Sequence, residues 1–333
     1  SVRTWWDPVE HLAIKPLIAD PARAFDGDRY QEAADRDLLL SYEFGRVLDE
    51  LYRRDYVLVD SLSFVTGQGG LRGIPCPAGK KPLVLVLEDF YSSFPRAESG
   101  VAWRLDLNDQ GQVVGVLLDR DGSERADRLY SAIGILETFI EDHPDFSFNG
   151  ATGVIAVVGQ YGLLGYPLAD AQDLALQRSA EGMEPAPPLL AKTDFDANRN
   201  KVRQLLEALD LRNWTMANGS YGRLSLPFAS RDEIEKDLIM ARDWLEPYTG
   251  KLTALYCPFG DHLQASPDKA ALFTGAGYLL QSGYGEWAYW ESDRSYVYVS
   301  RTLLTGRHLR LADPGALGRL IDPKAVIDRS ARP

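Results

Sequence analysis

Two adjacent carboxylates, Glu88 and Asp89, follow a strand-sized apolar run at residues 83–87. Neighbouring side chains on a strand point to opposite faces, so the two would have different roles. One would serve as an acid/base group and the other as a ligand for a metal or a substrate. The same pair also arises where one carboxylate caps a helix and its neighbour is solvated. Other chemistry-bearing residues follow apolar runs in the same way. Tyr91 comes just after the pair, Gln160 and Tyr161 follow residues 154–158, and Asn218, Ser220, Tyr221 and Arg223 follow 214–217. Phe259, Asp261 and His262 follow 252–257; Tyr284, Trp287, Tyr289 and Trp290 follow 278–281; Ser300 and Arg301 follow 296–299. His262 reads as a loop histidine or, beside Asp261, as a ligand. The four aromatic residues are packing or, if exposed, platforms for the apolar faces of sugars. Arg223 can pair with Glu88 or Asp89, which would fill the site without a metal.

These residues need a scaffold that gathers them. Eight apolar segments read as strands, at 12–18, 56–59, 83–87, 154–158, 214–217, 252–257, 278–281 and 296–299. Most lack the alternation of a half-exposed sheet, as strands covered on both faces do. Helical patterns separate most of them. Leu40, Phe44, Val47, Leu48 and Leu51 share one face, as do Val202, Leu205, Leu206 and Leu209. Ser230 and Glu233 form a capping box, and Ser266-Pro267 opens another helix. Strand–helix alternation of this kind predicts a parallel sheet closed into a (β/α) barrel, with the βα loops on one face. A hairpin at about 99–125 and an irregular loop at about 180–198 interrupt the alternation, and the whole of 1–333 reads as one domain.

Composition narrows the function. Lys plus Arg is 36 against 48 for Asp plus Glu, a net charge of −12, which disfavours nucleic acid as partner. No run approaches the ~20 apolar residues of a membrane helix. Two cysteines, Cys76 and Cys257, exclude a disulfide framework and a multi-cysteine zinc site, and the four histidines form no ligand-spaced pair. Cys76 precedes one strand and Cys257 ends another, so the two should lie at opposite ends of the barrel, unbonded. The chain opens on Ser1, which fits an N-terminal signal or anchor having been removed.

The order KKPLVLVLEDFY, WTMANGSYGRLS, LYCPFGD resembles the three signature blocks of polysaccharide deacetylases of the NodB-homology type, carbohydrate esterase family 4. The flanks KPLIADPARAFDGD, GRVLDELYRRDYVLVD and EDHPDFSFNGATGVIAVVGQYGLLGY resemble a bacterial, mostly secreted subgroup. The resemblance covers most of the chain. It implies a distorted (β/α) barrel, a cell-wall or other glycan as partner, and a secreted or cell-surface location.

The catalytic pattern departs from the family's. In its first block, T-F-D-D-G, the first aspartate acts as base and the second binds metal; Glu88 and Asp89 take those positions. Its second block carries two metal-binding histidines, at whose positions stand Gly219 and Arg223. The third block, R-x-P-Y-G, keeps its turn as Pro258-Phe259-Gly260 and loses the arginine. Lys15 replaces the histidine of an early F-H-P-L-I, and Ser300-Arg301 replaces a late aspartate-arginine step. One carboxylate is too few ligands for a divalent ion. Three readings follow: a glycan-binding or scaffolding barrel with no cofactor; a glycan hydrolase or deacetylase in which Glu88 and Asp89 form an acid/base pair; and a rewired site in which Asp89, Asp261 and His262 hold a metal such as zinc. Under the first, Tyr91, Tyr161, Asn218, Ser220, Tyr221, Arg223, Phe259, Asp261, Trp287 and Arg301 are the candidate substrate contacts.

Overall fold

A computed structural model describes residues 1–187, 192–293 and 295–333 of the chain. Its centre is a closed barrel of seven parallel strands: β2 (Glu10–Ile14), β5 (Lys81–Phe90), β9 (Gly153–Val157), β10 (Thr215–Asn218), β11 (Ala254–Tyr256), β12 (Leu280–Tyr284) and β14 (Tyr296–Leu303). The ring runs β2-β5-β9-β10-β11-β12-β14 and closes through β14 onto β2, with Thr302 beside Leu12. This is the (β/α) barrel expected from the alternation. Seven strands close it, not eight. The segment expected at 56–59 forms only β3 (Tyr56–Leu58), which pairs with the first residues of β5.

The remaining strands stand outside the ring. β1 (Val2–Trp5) pairs antiparallel with β4 (Ile74–Pro77), and β13 (Trp290–Asp293) pairs antiparallel with β14. The expected hairpin is a three-stranded antiparallel sheet, β6 (Arg104–Leu107), β7 (Val113–Leu118) and β8 (Glu124–Asp127). The expected loop at 180–198 ends earlier, because Asp194 caps a helix over Phe195–Asp210. Its middle, residues 188–191, lies outside the described residues.

Each barrel strand is buried on both faces, which is why its sequence reads as a continuous apolar run. On β5, Leu83, Leu85 and Leu87 face the helices while Val84 and Val86 face the interior. Helix Ser41–Arg53 buries Phe44, Val47, Leu48 and Leu51, the face read from the sequence. Helix Arg231–Trp244 opens on the Ser230–Glu233 capping box.

Two buried polar groups bear on stability. His11 lies inside the barrel with Nδ1 donating to the Val9 carbonyl at 2.9 Å. Burial lowers its pKa to about 4, against the opposing pull of that bond, and Arg301 adds to the lowering. Arg332 reaches back to helix Ser41–Arg53, donating from Nε and Nη2 to Glu43 at 2.8 and 2.7 Å. Both side chains are fully buried. Glu43 also accepts the backbone N–H groups of Leu40 and Asp328. Cys76 and Cys257 are buried free thiols, the first on β4 outside the ring and the second just past β11.

Candidate functional site

The carboxylate pair sits where β5 breaks its ladder. Leu87 pairs with Ile155 on β9, but the next partners are Phe90 and Val157, so β5 carries one extra residue there. Such a bulge turns the strand and re-aims a side chain. Asp89 takes the left-handed conformation, φ 55°. Glu88 keeps the inward direction of Val84 and Val86, and the bulge redirects Asp89 onto its own set of partners at the end of the strand.

Glu88 is held inside the barrel. It accepts Arg301 Nε at 2.6 Å and the Tyr284 hydroxyl. Arg301 follows Val297 and Val299 on the inward face of β14 and is 1% exposed. Its Nη1 donates to the Ser282 carbonyl at 2.6 Å and its Nη2 to the Cys257 carbonyl at 2.7 Å. Burial and the charge of Glu88 push the Tyr284 phenol upward, which keeps it a donor. Tyr284 reaches Glu88 across Gly260, φ 74°, where an added Cβ would lie 1.8 Å from the ring. That contact leaves no room for a side chain at Gly260.

Asp89 is ringed by cations. Arg223 grips it with two bonds, Nε to Oδ1 at 2.5 Å and Nη2 to Oδ2 at 2.7 Å. Arg96 Nη2 lies 3.6 Å and Lys15 Nζ 3.8 Å from Oδ2. Burial pushes the Asp89 carboxyl up, but the Arg223 bonds and the charges of Arg96, Arg223 and Lys15 outweigh it and hold the pKa below the ordinary value of 3.8. Arg96 comes from a short helix, Phe94–Glu98, capped by Ser93. Aromatic rings complete the mouth. Arg96 lies 3.5 Å from the Tyr91 ring centre, Arg223 4.3 Å from that of Phe259, and the Tyr91 and Tyr161 rings are 5.4 Å apart.

Backbone strain gathers here too. Of the eight non-glycine residues with left-handed backbone among those described, Asp89, Ser220, Arg223 and Phe259 stand in these loops. Such conformations cost about 1 kcal/mol or more each and persist only where the surroundings enforce them.

The structure thus brings together Lys15, Glu88, Asp89, Tyr91, Tyr161, Arg223, Phe259 and Arg301. Other sequence candidates make their contacts outside this cluster. Asn218 is fully buried in the layer between barrel and helices, its Nδ2 donating to the Tyr278 hydroxyl at 2.7 Å. Ser220 accepts the N–H of Leu224, and Tyr221 packs on Gly159 and accepts from Gln172. Asp237, which the sequence did not mark, pins that turn by accepting the N–H groups of Tyr221 and Gly222 at 3.0 and 2.6 Å. Asp261 accepts the Ser225 hydroxyl at 2.7 Å, while His262 is exposed with its ring 6.4 Å from Tyr298. Trp287 is exposed under Arg319, which binds Glu10 at the start of β2, so its contacts lead away from the mouth. Arg96 was also missed. The only hint was the Ser93-Phe94-Pro95 helix start following the carboxylates.

The residues do not fit the metal that the deacetylase pattern requires. A Cβ at Gly219 would lie 2.9 Å from the Val157 carbonyl oxygen, so this backbone has no room for a histidine there. The second ligand position is Arg223, bound to Asp89. Among the described residues no three of His, Cys, Asp and Glu form a set that could hold an ion, so Asp89, Asp261 and His262 are not assembled as one.

No protein-family profile and no curated protein matches the sequence. Solved structures similar in their course include IcaB from Ammonifex degensii, 11% identical with a TM-score of 0.48, covering 95% of this chain and 98% of that one. The Streptococcus pyogenes deacetylase PplD, solved in complex with acetate, is 12% identical with a TM-score of 0.48, covering 96% and 99%. The polysaccharide deacetylase BC0361 from Bacillus cereus is 11% identical with a TM-score of 0.48, covering 90% and 66%. No described helix is long and apolar enough to cross a membrane.

Proposed function

We propose that the protein is a carbohydrate-binding barrel, built like a polysaccharide deacetylase but working without a metal, that binds a cell-wall or other extracellular glycan from a secreted or surface-held position. The observation that carries this reading is the two-bond grip of Arg223 on Asp89. A divalent ion at Asp89 would have to displace that guanidinium or sit beside it. Like charges at such range in a partly desolvated cleft repel by several kcal/mol. Glu88 is equally engaged, by Arg301 and Tyr284, which weighs against an acid/base pair. The rings of Tyr91, Tyr161 and Phe259 are suited to stacking on sugar faces.

The test combines metal analysis, turnover and binding. After dialysis against zinc, cobalt or nickel, the protein should hold no ion in proportion to chain, release no acetate from acetylated chitin-type oligosaccharides, and still bind glycans. Arg223→Ala should free Asp89 without creating activity, because no histidine joins it. About one tightly held ion per chain, with acetate release abolished by Asp89→Ala, would overturn the reading.

A further inference from the structure

The charge around Asp89 exceeds what that residue needs. Lys15, Arg96 and Arg223 face a single carboxylate, and Glu88 is matched by Arg301. Those six groups carry four positive and two negative charges. Two neighbouring acids reduce the surplus without removing it: Asp37 lies within electrostatic reach of Lys15 but brings its own cation, Arg36, and Asp261, counted in, still leaves an excess of one positive charge.

The donors tell the same story. Arg223 gives Nε and Nη2 to Asp89, and Arg96 gives Nη1 to the Asp89 and Tyr91 carbonyls. Lys15 is different. Its side chain is 20% exposed, its ammonium is 3.8 Å from Asp89, and among the described residues it makes no hydrogen bond. An ammonium has three donors, and those of Lys15 that Asp89 does not take are open to the oxygens of an anionic ligand. The chain as a whole carries −12, so its overall field repels anions, and attraction at this mouth is a local property.

We propose that the glycan bound here is acidic. An anionic substituent of one sugar, a carboxylate, sulfate or phosphate, sits against Lys15 and Arg96, and the apolar face of the ring lies on Tyr91, Tyr161 or Phe259. The proposal rests on the glycan-binding reading above and adds the substrate class to it.

Titration calorimetry on matched trimers tests it: a hexuronic acid trimer against its methyl ester, and sulfated and phosphorylated glucose trimers against the unmodified parent. At least one anionic member should bind about tenfold or more tighter than its neutral partner, as a charge-assisted bond in a partly buried site would give. The arm that responds identifies the anion. Lys15→Met, checked for an unchanged melting profile, should erase most of the difference, and Lys15→Arg should keep it. Equal binding of charged and neutral members, or a preference untouched by Lys15→Met, overturns the acidic-glycan proposal and leaves glycan binding standing. Binding of none of the trimers, neutral or charged, overturns both.

Discussion

Arg301 is among the largest completely buried side chains of the described residues, and its charge is tolerable only because Glu88 and two carbonyls surround it. Breaking a buried pair from one side strands the other charge. Arg301→Met should therefore cost ~3–5 kcal/mol, and the double variant Glu88→Met/Arg301→Met should recover a good part of that loss, since no charge is then left alone. Urea unfolding of these two variants and of Glu88→Met alone checks this; a double variant as weak as the sum of the singles would exclude the pairing. At this scale the sequence was half legible. Lys15 and Arg223 stood at positions where the deacetylase pattern has histidines, so cations near the carboxylates were expected. Which carboxylate Arg223 would choose was not readable, because the choice is made by the bulge at 87–90, and a bulge leaves little trace in a run of residues buried on both faces.

The barrel strands were readable to within a few residues because double-sided burial demands long apolar runs. What escaped were elements whose sequence carries little hydrophobic signal. β1 is mostly exposed and owes its form to pairing with β4, and β13 owes its form to β14. Asn218 was expected at the mouth because it ends β10, yet strand alternation turns it outward next to inward-facing Ala217. On β2 the same alternation sends His11 into the interior, with a consequence for acid stability. Its folded pKa is about 4 against an ordinary 6.5. The folded state thus keeps the ring neutral while the unfolded chain takes up a proton below pH 6.5. The stabilisation is complete above pH 6.5 and falls away down to about pH 4, by ~2–3 kcal/mol. His11→Asn, which can still donate to the Val9 carbonyl, should flatten that part of the stability–pH curve. An unchanged curve would mean that other groups set the acid limit.

Across the whole molecule, the bond between Arg332 and Glu43 ties distant parts of the chain together. Arg332→Met should destabilise by ~3–5 kcal/mol, because Glu43 would be left buried without its cation. Thermal and denaturant unfolding measure it, and a loss under about 1 kcal/mol would mean that water reaches Glu43 once the arginine is gone. Nothing in the local sequence marked this contact, since its partners are 289 residues apart. That separation also sets when the contact can form. Closing so long a loop is entropically unfavourable until the barrel has brought the two ends together, so the clasp belongs to the last steps of folding and the first of local opening. When the segment carrying Arg332 lifts away, Glu43 loses that arginine and the Asp328 amide together, while the Leu40 amide keeps its acceptor three residues on at the start of the same helix. The Asp328 amide should therefore take up deuterium faster than that of Leu40 and than the barrel strands, though slower than an exposed turn.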